Sequence, residues 1–173
     1  YELIEPDSAD KKDVYVMMFP ATGEMGGSTR RAMAKKLALK HGWSSVTVTA
    51  PFYARRKPGS QKLFFIDSVC NILLQSEVII EEGLLLTQWL LNKHPAALVC
   101  HTGFSYGAAM ASCASAMSLA GGLDGSRIAC APYVGSSSPN VLADGVLESG
   151  VDWQALSQNP KKEAYANTRK KLY

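Results

Sequence analysis

The chain has 173 residues, of which 47% are hydrophobic and 19% charged, enough apolar mass for one globular domain and too much for a disordered or low-complexity segment. Its formal net charge of +3, from 18 basic against 15 acidic residues, is too small to argue for a nucleic-acid partner. The longest apolar region is interrupted by Gln75, Glu77, Glu81 and Glu82, so no membrane-spanning segment is expected.

Taken in order, Tyr1 to Lys12 read as a polar, acidic arm (residues 1–12), and the absence of an initial Met or a signal-like start reads as a processed product or an excerpt. Val14-Tyr15-Val16-Met17-Met18-Phe19 is a continuous apolar run, as expected of a parallel strand buried on both faces. It leads into a Gly-rich loop, Pro20 to Gly27. Ser28 or Thr29 then caps a helix that stops at His41-Gly42. Ser45 to Thr49 is a second strand, followed by the long loop Pro51-Phe52-Tyr53-Ala54-Arg55-Arg56-Lys57-Pro58. From Asp67 to about Lys93, apolar residues recur at helical spacing with Gln75, Glu77 and Glu81 between them, which predicts a long amphipathic helix. A short strand Ala97 to His101, a helix to about Leu119 stopped by Gly121-Gly122, and a last strand Arg127 to Val134 complete the pattern. Four strands alternating with helices predict an α/β fold: a mostly parallel sheet with helices on both faces, over residues 13–156. A basic tail occupies residues 157–173, with Lys161-Lys162 and Arg169-Lys170-Lys171.

The chemistry concentrates at Gly103-Phe104-Ser105-Tyr106-Gly107, a G-x-S-x-G between a buried strand and an Ala-rich helix. In a nucleophile elbow such a turn lifts the Ser hydroxyl above the sheet, and Gly103 and Gly107 are needed because side chains there would meet the neighbouring strand and helix. The alternative for Ser105 is a plain helix N-cap. An oxyanion hole would use the backbone N–H of Tyr106 and a second from the loop near Ala21 to Gly23. That loop lacks both the Gly-Lys-Ser/Thr of a P-loop and the G-x-G-x-x-G of a dinucleotide site, so no nucleotide cofactor is expected. Arg55, Arg56 and Lys57 are candidates for holding an anionic head group or phosphate, although a solvated basic turn or a surface for a partner accounts for them more readily. Phe52 and Tyr53 beside them either line an acyl pocket or cover the sheet edge. No His follows Ser105; His101 reads as a core histidine and His41 and His94 as surface caps. Asp124, Asp144 and Asp152 follow Ser105 without a histidine to orient. No residues show metal-ligand spacing, and Cys70, Cys100, Cys113 and Cys130 form no C-x-x-C pair, which suits unpaired thiols in a reducing compartment.

Ala21-Thr22-Gly23-Glu24 with Arg30-Arg31, the Pro51 to Pro58 loop, Gly103 to Ala111, Gly135-Ser136-Ser137-Ser138, Gly145-Val146-Leu147 and Trp153 together resemble one family of the α/β-hydrolase superfamily, that of alpha/beta hydrolase domain-containing protein 18. The resemblance implies Ser105 as nucleophile, Thr22 and Gly23 in the oxyanion region, and an ester or lipid-like acyl substrate. The chain departs from the family at Glu24-Met25, where the first loop carries an acid-His pair, and the family's first strands and its acid- and base-bearing C-terminal portion are not seen here. Two readings follow. The first is a catalytically incomplete hydrolase-like protein acting as an accessory or scaffold subunit, with other protein subunits as partners and, from the resemblance and the processed-looking start, a mitochondrial location. The second is the N-terminal portion of an active serine ester or lipid hydrolase.

Overall fold

A computed structural model describes residues 1–7, 9–66 and 68–135. The resemblance segments beyond Gly135, the acids Asp144 and Asp152, the remainder of the 13–156 domain and the basic tail therefore lie outside the described residues.

Five strands form one sheet: β1 (Glu2–Ile4), β2 (Val14–Phe19), β3 (Ser44–Thr47), β4 (Leu98–Phe104) and β5 (Ile128–Tyr133), in the spatial order β1-β3-β2-β4-β5. β2 is the centre, pairing parallel with β3 on one side and β4 on the other, and β5 pairs parallel with β4. The apolar run of β2 is explained by this position. Tyr15, Met17 and Phe19 enter the larger core, while Val16 and Met18 join Ala34 on the opposite face. Helix α1 (Ser28–His41) covers that second face; α2 (Val69–Lys93) and α3 (Tyr106–Ala120) cover the first. The expected mostly parallel sheet with helices on both faces is the fold observed.

Several details differ from the sequence reading, among them β4, which runs on to Phe104 where a strand ending at His101 was expected, and β3, which ends at Thr47 and not at Thr49. The stretch read as an arm supplies β1, which pairs antiparallel with β3 and is pinned by Arg31 donating to the Glu2 carboxylate at 3.0 Å. Three residues with only Ile4 half-buried carry no readable alternation, so the ladder defines this strand and the side chains do not. The cap of α1 is Gly27, left-handed at φ 63°, with no side-chain bond from Ser28 or Thr29, which are already inside the helix. A hydroxyl caps only from an extended residue preceding the first turn. Helix α2 begins at Val69, two residues later than expected, because Ser68 is extended and accepts the Asn71 N–H at 3.1 Å.

Candidate active site

In a parallel sheet the loops leaving the carboxyl ends of the strands gather along one edge, where ligands of open α/β sheets bind. Among the described residues, the non-glycine residues with positive φ are Phe52, Ala54, Leu63, Ser105 and Val134. All five lie in the loops that follow β3, β4 and β5, on that one edge. Such conformations cost on the order of 1–3 kcal/mol each and persist only where the surroundings impose them.

Ser105 sits at one of these turns, at φ 56° and ψ −117°, between the last residue of β4 and the first of α3. It is exposed, and its N–H donates to the Tyr133 carbonyl at 3.0 Å. The flanking glycines explain how the turn closes. A Cβ on Gly103 would lie 2.4 Å from the Gly107 carbonyl group, and one on Gly107 would lie 2.6 Å from the Phe19 carbonyl oxygen. Strand, turn and helix thus pack backbone to backbone. Tyr106 opens α3, so its N–H has no acceptor within the helix and is directed at the turn. Its side chain goes the other way: the buried phenol shares a 2.8 Å hydrogen bond with Ser76 of α2, and burial pushes its pKa up to about 12.

The loop after β2 lies beside the elbow, since Phe19 pairs with Gly103. Glu24 organises it. The Glu24 carboxylate accepts the Ala21 N–H at 3.1 Å and two bonds from Arg30 Nε at 2.8 and 3.0 Å. Arg30 Nη1 also donates to the Met18 and Val48 carbonyls at 2.8 and 2.7 Å, tying the ends of β2 and β3 to the loop. Gly23 is left-handed at φ 71°, and its backbone faces the phenol of Tyr53, whose pKa is raised by burial against the opposing pull of Gly23 and Gln75. The Thr22 hydroxyl is buried and has no hydrogen-bond partner. The structure therefore brings Thr22, Gly23, Ser105 and Tyr106 to one edge. Arg30 and Gln75 act behind them, and the only sequence signals for these were the Arg30-Arg31 pair and a polar residue on an apolar helix face.

Both groups of the Glu24–Arg30 pair are largely out of solvent, with side-chain exposures of 18% and 14%. Arg30→Met is expected to destabilise the fold by about 2–4 kcal/mol, because it strands a carboxylate and frees two carbonyls. Arg30→Lys should recover only part of this, since one ammonium nitrogen cannot stand both where Nε meets the Glu24 carboxylate and where Nη1 meets the Met18 and Val48 carbonyls. Chemical denaturation of the three proteins measures the difference.

The basic loop is engaged internally. Arg56 Nη1 donates to the Thr49 carbonyl and to the Glu82 carboxylate, each at 2.9 Å, and Lys57 Nζ to the Gln61 carbonyl at 2.8 Å. Arg55 is exposed and near enough to act on Glu2 electrostatically. Tyr53, at 3% exposure, belongs to the core, and Phe52 packs against it.

The histidines sit elsewhere. His101, on β4, is fully buried; Nε2 shares a 2.7 Å hydrogen bond with Thr87 and Nδ1 a 2.8 Å bond with Ser115, so it joins α2 and α3 beneath the elbow. His41 ends α1 against Trp43, and His94 caps α2 against Tyr15. Burial depresses the His101 pKa from 6.5 to about 4. Its neutral form is the folded form, so the stability it contributes is present above pH 6.5 and is lost as pH falls toward 4. About 3 kcal/mol should disappear across that window, by linkage of roughly 1.4 kcal/mol per pH unit. Denaturation midpoints for the parent chain and His101→Gln should diverge above pH 6.5 and converge near pH 4.

No group of three or more His, Cys, Asp or Glu among the described residues could hold a metal ion. The four cysteines are free: Cys70, Cys113 and Cys130 exposed, Cys100 half-buried. No described helix is long and apolar enough to cross a membrane. No curated protein matches the chain. The family described as alpha/beta hydrolase domain containing 18 does, over residues 1–172. With a strand–Ser105–helix elbow on a mostly parallel sheet and a family match over almost its whole length, this chain belongs to the alpha/beta hydrolase domain containing 18 family.

Proposed function

We propose that Ser105 is the nucleophile of a serine hydrolase acting on carboxylic or lipid acyl esters. The supporting observation is the strained, exposed Ser105 at the carboxyl end of β4, with the Tyr106 N–H beside it. Ser105 Oγ attacks the ester carbonyl carbon while its proton passes to a base. The carbonyl oxygen becomes an oxyanion held by backbone donors from Tyr106 and the Thr22-Gly23 loop, and the alcohol leaves with a proton. Water then attacks the acyl-enzyme, releasing the acid and restoring the Ser105 hydroxyl. His101 is committed to Thr87 and Ser115, while His41 and His94 terminate α1 and α2 just ahead of β3 and β4, at the edge of the sheet away from Ser105, so none of the three histidines is placed to be that base. Labelling of the native protein with a fluorophosphonate tests this: the adduct is expected on Ser105, and a folded native protein that leaves Ser105 unlabelled contradicts it.

The same histidine placement favours a second reading, an accessory subunit that keeps the elbow without turnover. It predicts no labelling, together with copurification of the chain in a stable complex with other subunits. The fold makes no distinction between ester and lipid substrates, so the acyl class rests on the family resemblance.

A further inference from the structure

Helix α1 carries Arg30, Arg31, Lys35, Lys36 and Lys40 and no acidic residue, while α2 carries Glu77, Glu81 and Glu82 against Lys93 alone. Part of this charge is answered within the chain: Arg30 by Glu24, Arg31 by Glu2 and Glu82 by Arg56. Lys93 lies over the Trp89 ring. Lys35, Lys36 and Lys40 on α1 and Glu77 and Glu81 on α2 are exposed, with no ion-pair partner among the described residues.

The spacing of these charges is the same on both helices. Lys36 and Lys40 stand four residues apart, as do Glu77 and Glu81, so each pair is adjacent on its helix surface and repels itself. Beside each lie apolar side chains held out in solvent. Leu39, 85% exposed, is one turn from Lys35 and Lys36, and the exposed Met33 is one turn before Lys36. Leu85, 63% exposed, is one turn beyond Glu81, and the exposed Leu74 is one turn before Glu77. The two stripes cannot meet within one molecule, because α1 covers one face of the sheet and α2 the other.

We propose that they are the two halves of one interface, the outer face of α1 in one copy docking on the outer face of α2 in the next. Lys36 and Lys40 then oppose Glu77 and Glu81, and the exposed leucines cover one another. A second copy is the occupant because it presents the opposite sign at the matching spacing, again flanked by leucine. The contact joins two different surfaces, so it leaves one of each free and either closes into a ring or grows as a chain. Its strength is set by screened charge, which makes low salt and high protein concentration the conditions of assembly. None of this depends on the reading of Ser105.

Sedimentation velocity tests it, over rising protein concentration at about 0.01 M and about 1 M salt, between which the screening length falls roughly tenfold. The parent is expected to grow in mass with concentration at low salt and to run as a monomer at high salt. Lys36→Glu/Lys40→Glu and Glu77→Lys/Glu81→Lys, each checked for parental circular dichroism, should associate about a hundredfold more weakly, like charges now facing each other. Mixing the two variants in equal amounts should restore association, since reversed α1 meets reversed α2 and the intact faces meet each other. A parent that stays monomeric at low salt overturns the proposal. So does a folded variant that associates like the parent, or a mixture that sediments as its separate components.

Discussion

Ser105→Ala in the native protein is expected to abolish ester turnover, by at least about a thousandfold, because what survives loss of the nucleophile is only binding and oxyanion stabilisation. Stability should move the other way when the backbone strain is relieved. Ser105 holds φ 56°, a region that glycine occupies freely, so Ser105→Gly should gain about 1 kcal/mol against denaturant while turnover disappears. A serine retained only as a helix cap would lose stability on either change, since the cap bond would go. No side-chain cap bond exists at Ser105 to be lost. Steady-state assays and urea midpoints on the two variants separate these accounts.

The second large effect is steric. Gly107→Ala places a methyl 2.6 Å from the Phe19 carbonyl oxygen and 2.9 Å from that of Pro20, and Gly103→Ala places one 2.4 Å from the Gly107 carbonyl group. All of these neighbours are backbone and cannot rotate aside. Either the end of β2 or the start of α3 must move, at a cost of about 3 kcal/mol, the upper range for overpacking. For a chain of this length that corresponds to a fall of roughly 10 °C in melting temperature. Because the shift is between β2 and α3, it also moves the Thr22 loop relative to Ser105, so activity should fall more than the melting temperature implies. Glycine-to-alanine changes at Gly26 or Gly59, whose added Cβ meets nothing within 4 Å, are the matched controls.

The elements that were legible are those whose side chains carry the periodicity. The unbroken apolar run of β2 and the helical spacing of α2 announce themselves because burial selects residues at each position. β1 does not, since Glu2–Ile4 joins the sheet by its backbone and exposes two of its three side chains. The start of α1 was misplaced for a related reason: Ser28 and Thr29 look like caps in a string of letters, but the left-handed Gly27 sets the helix entry. At the site, the elbow was readable from Gly103, Ser105 and Gly107, because steric exclusion leaves a fixed spacing. The Glu24–Arg30 brace was not. Its bonds to Ala21, Met18 and Val48 join segments up to 18 residues apart through carbonyl and amide groups that every residue possesses. Likewise, Arg55, Arg56 and Lys57 read as one basic cluster, yet Arg56 is taken by Glu82 of α2 and Lys57 by the Gln61 carbonyl of its own loop.

The proposed role of Ser105 is that of a nucleophile held in a strained elbow, with none of the three histidines placed to be its base. The most direct measurement is the rate of fluorophosphonate labelling, located by mass spectrometry, for the parent protein and for its His41→Gln and His94→Gln variants. Rapid modification of Ser105 is expected in the parent, at a rate little changed in either variant. A fall of about a thousandfold in either variant would contradict the placement of the histidines, and a folded protein that never labels at Ser105 would contradict the nucleophile itself.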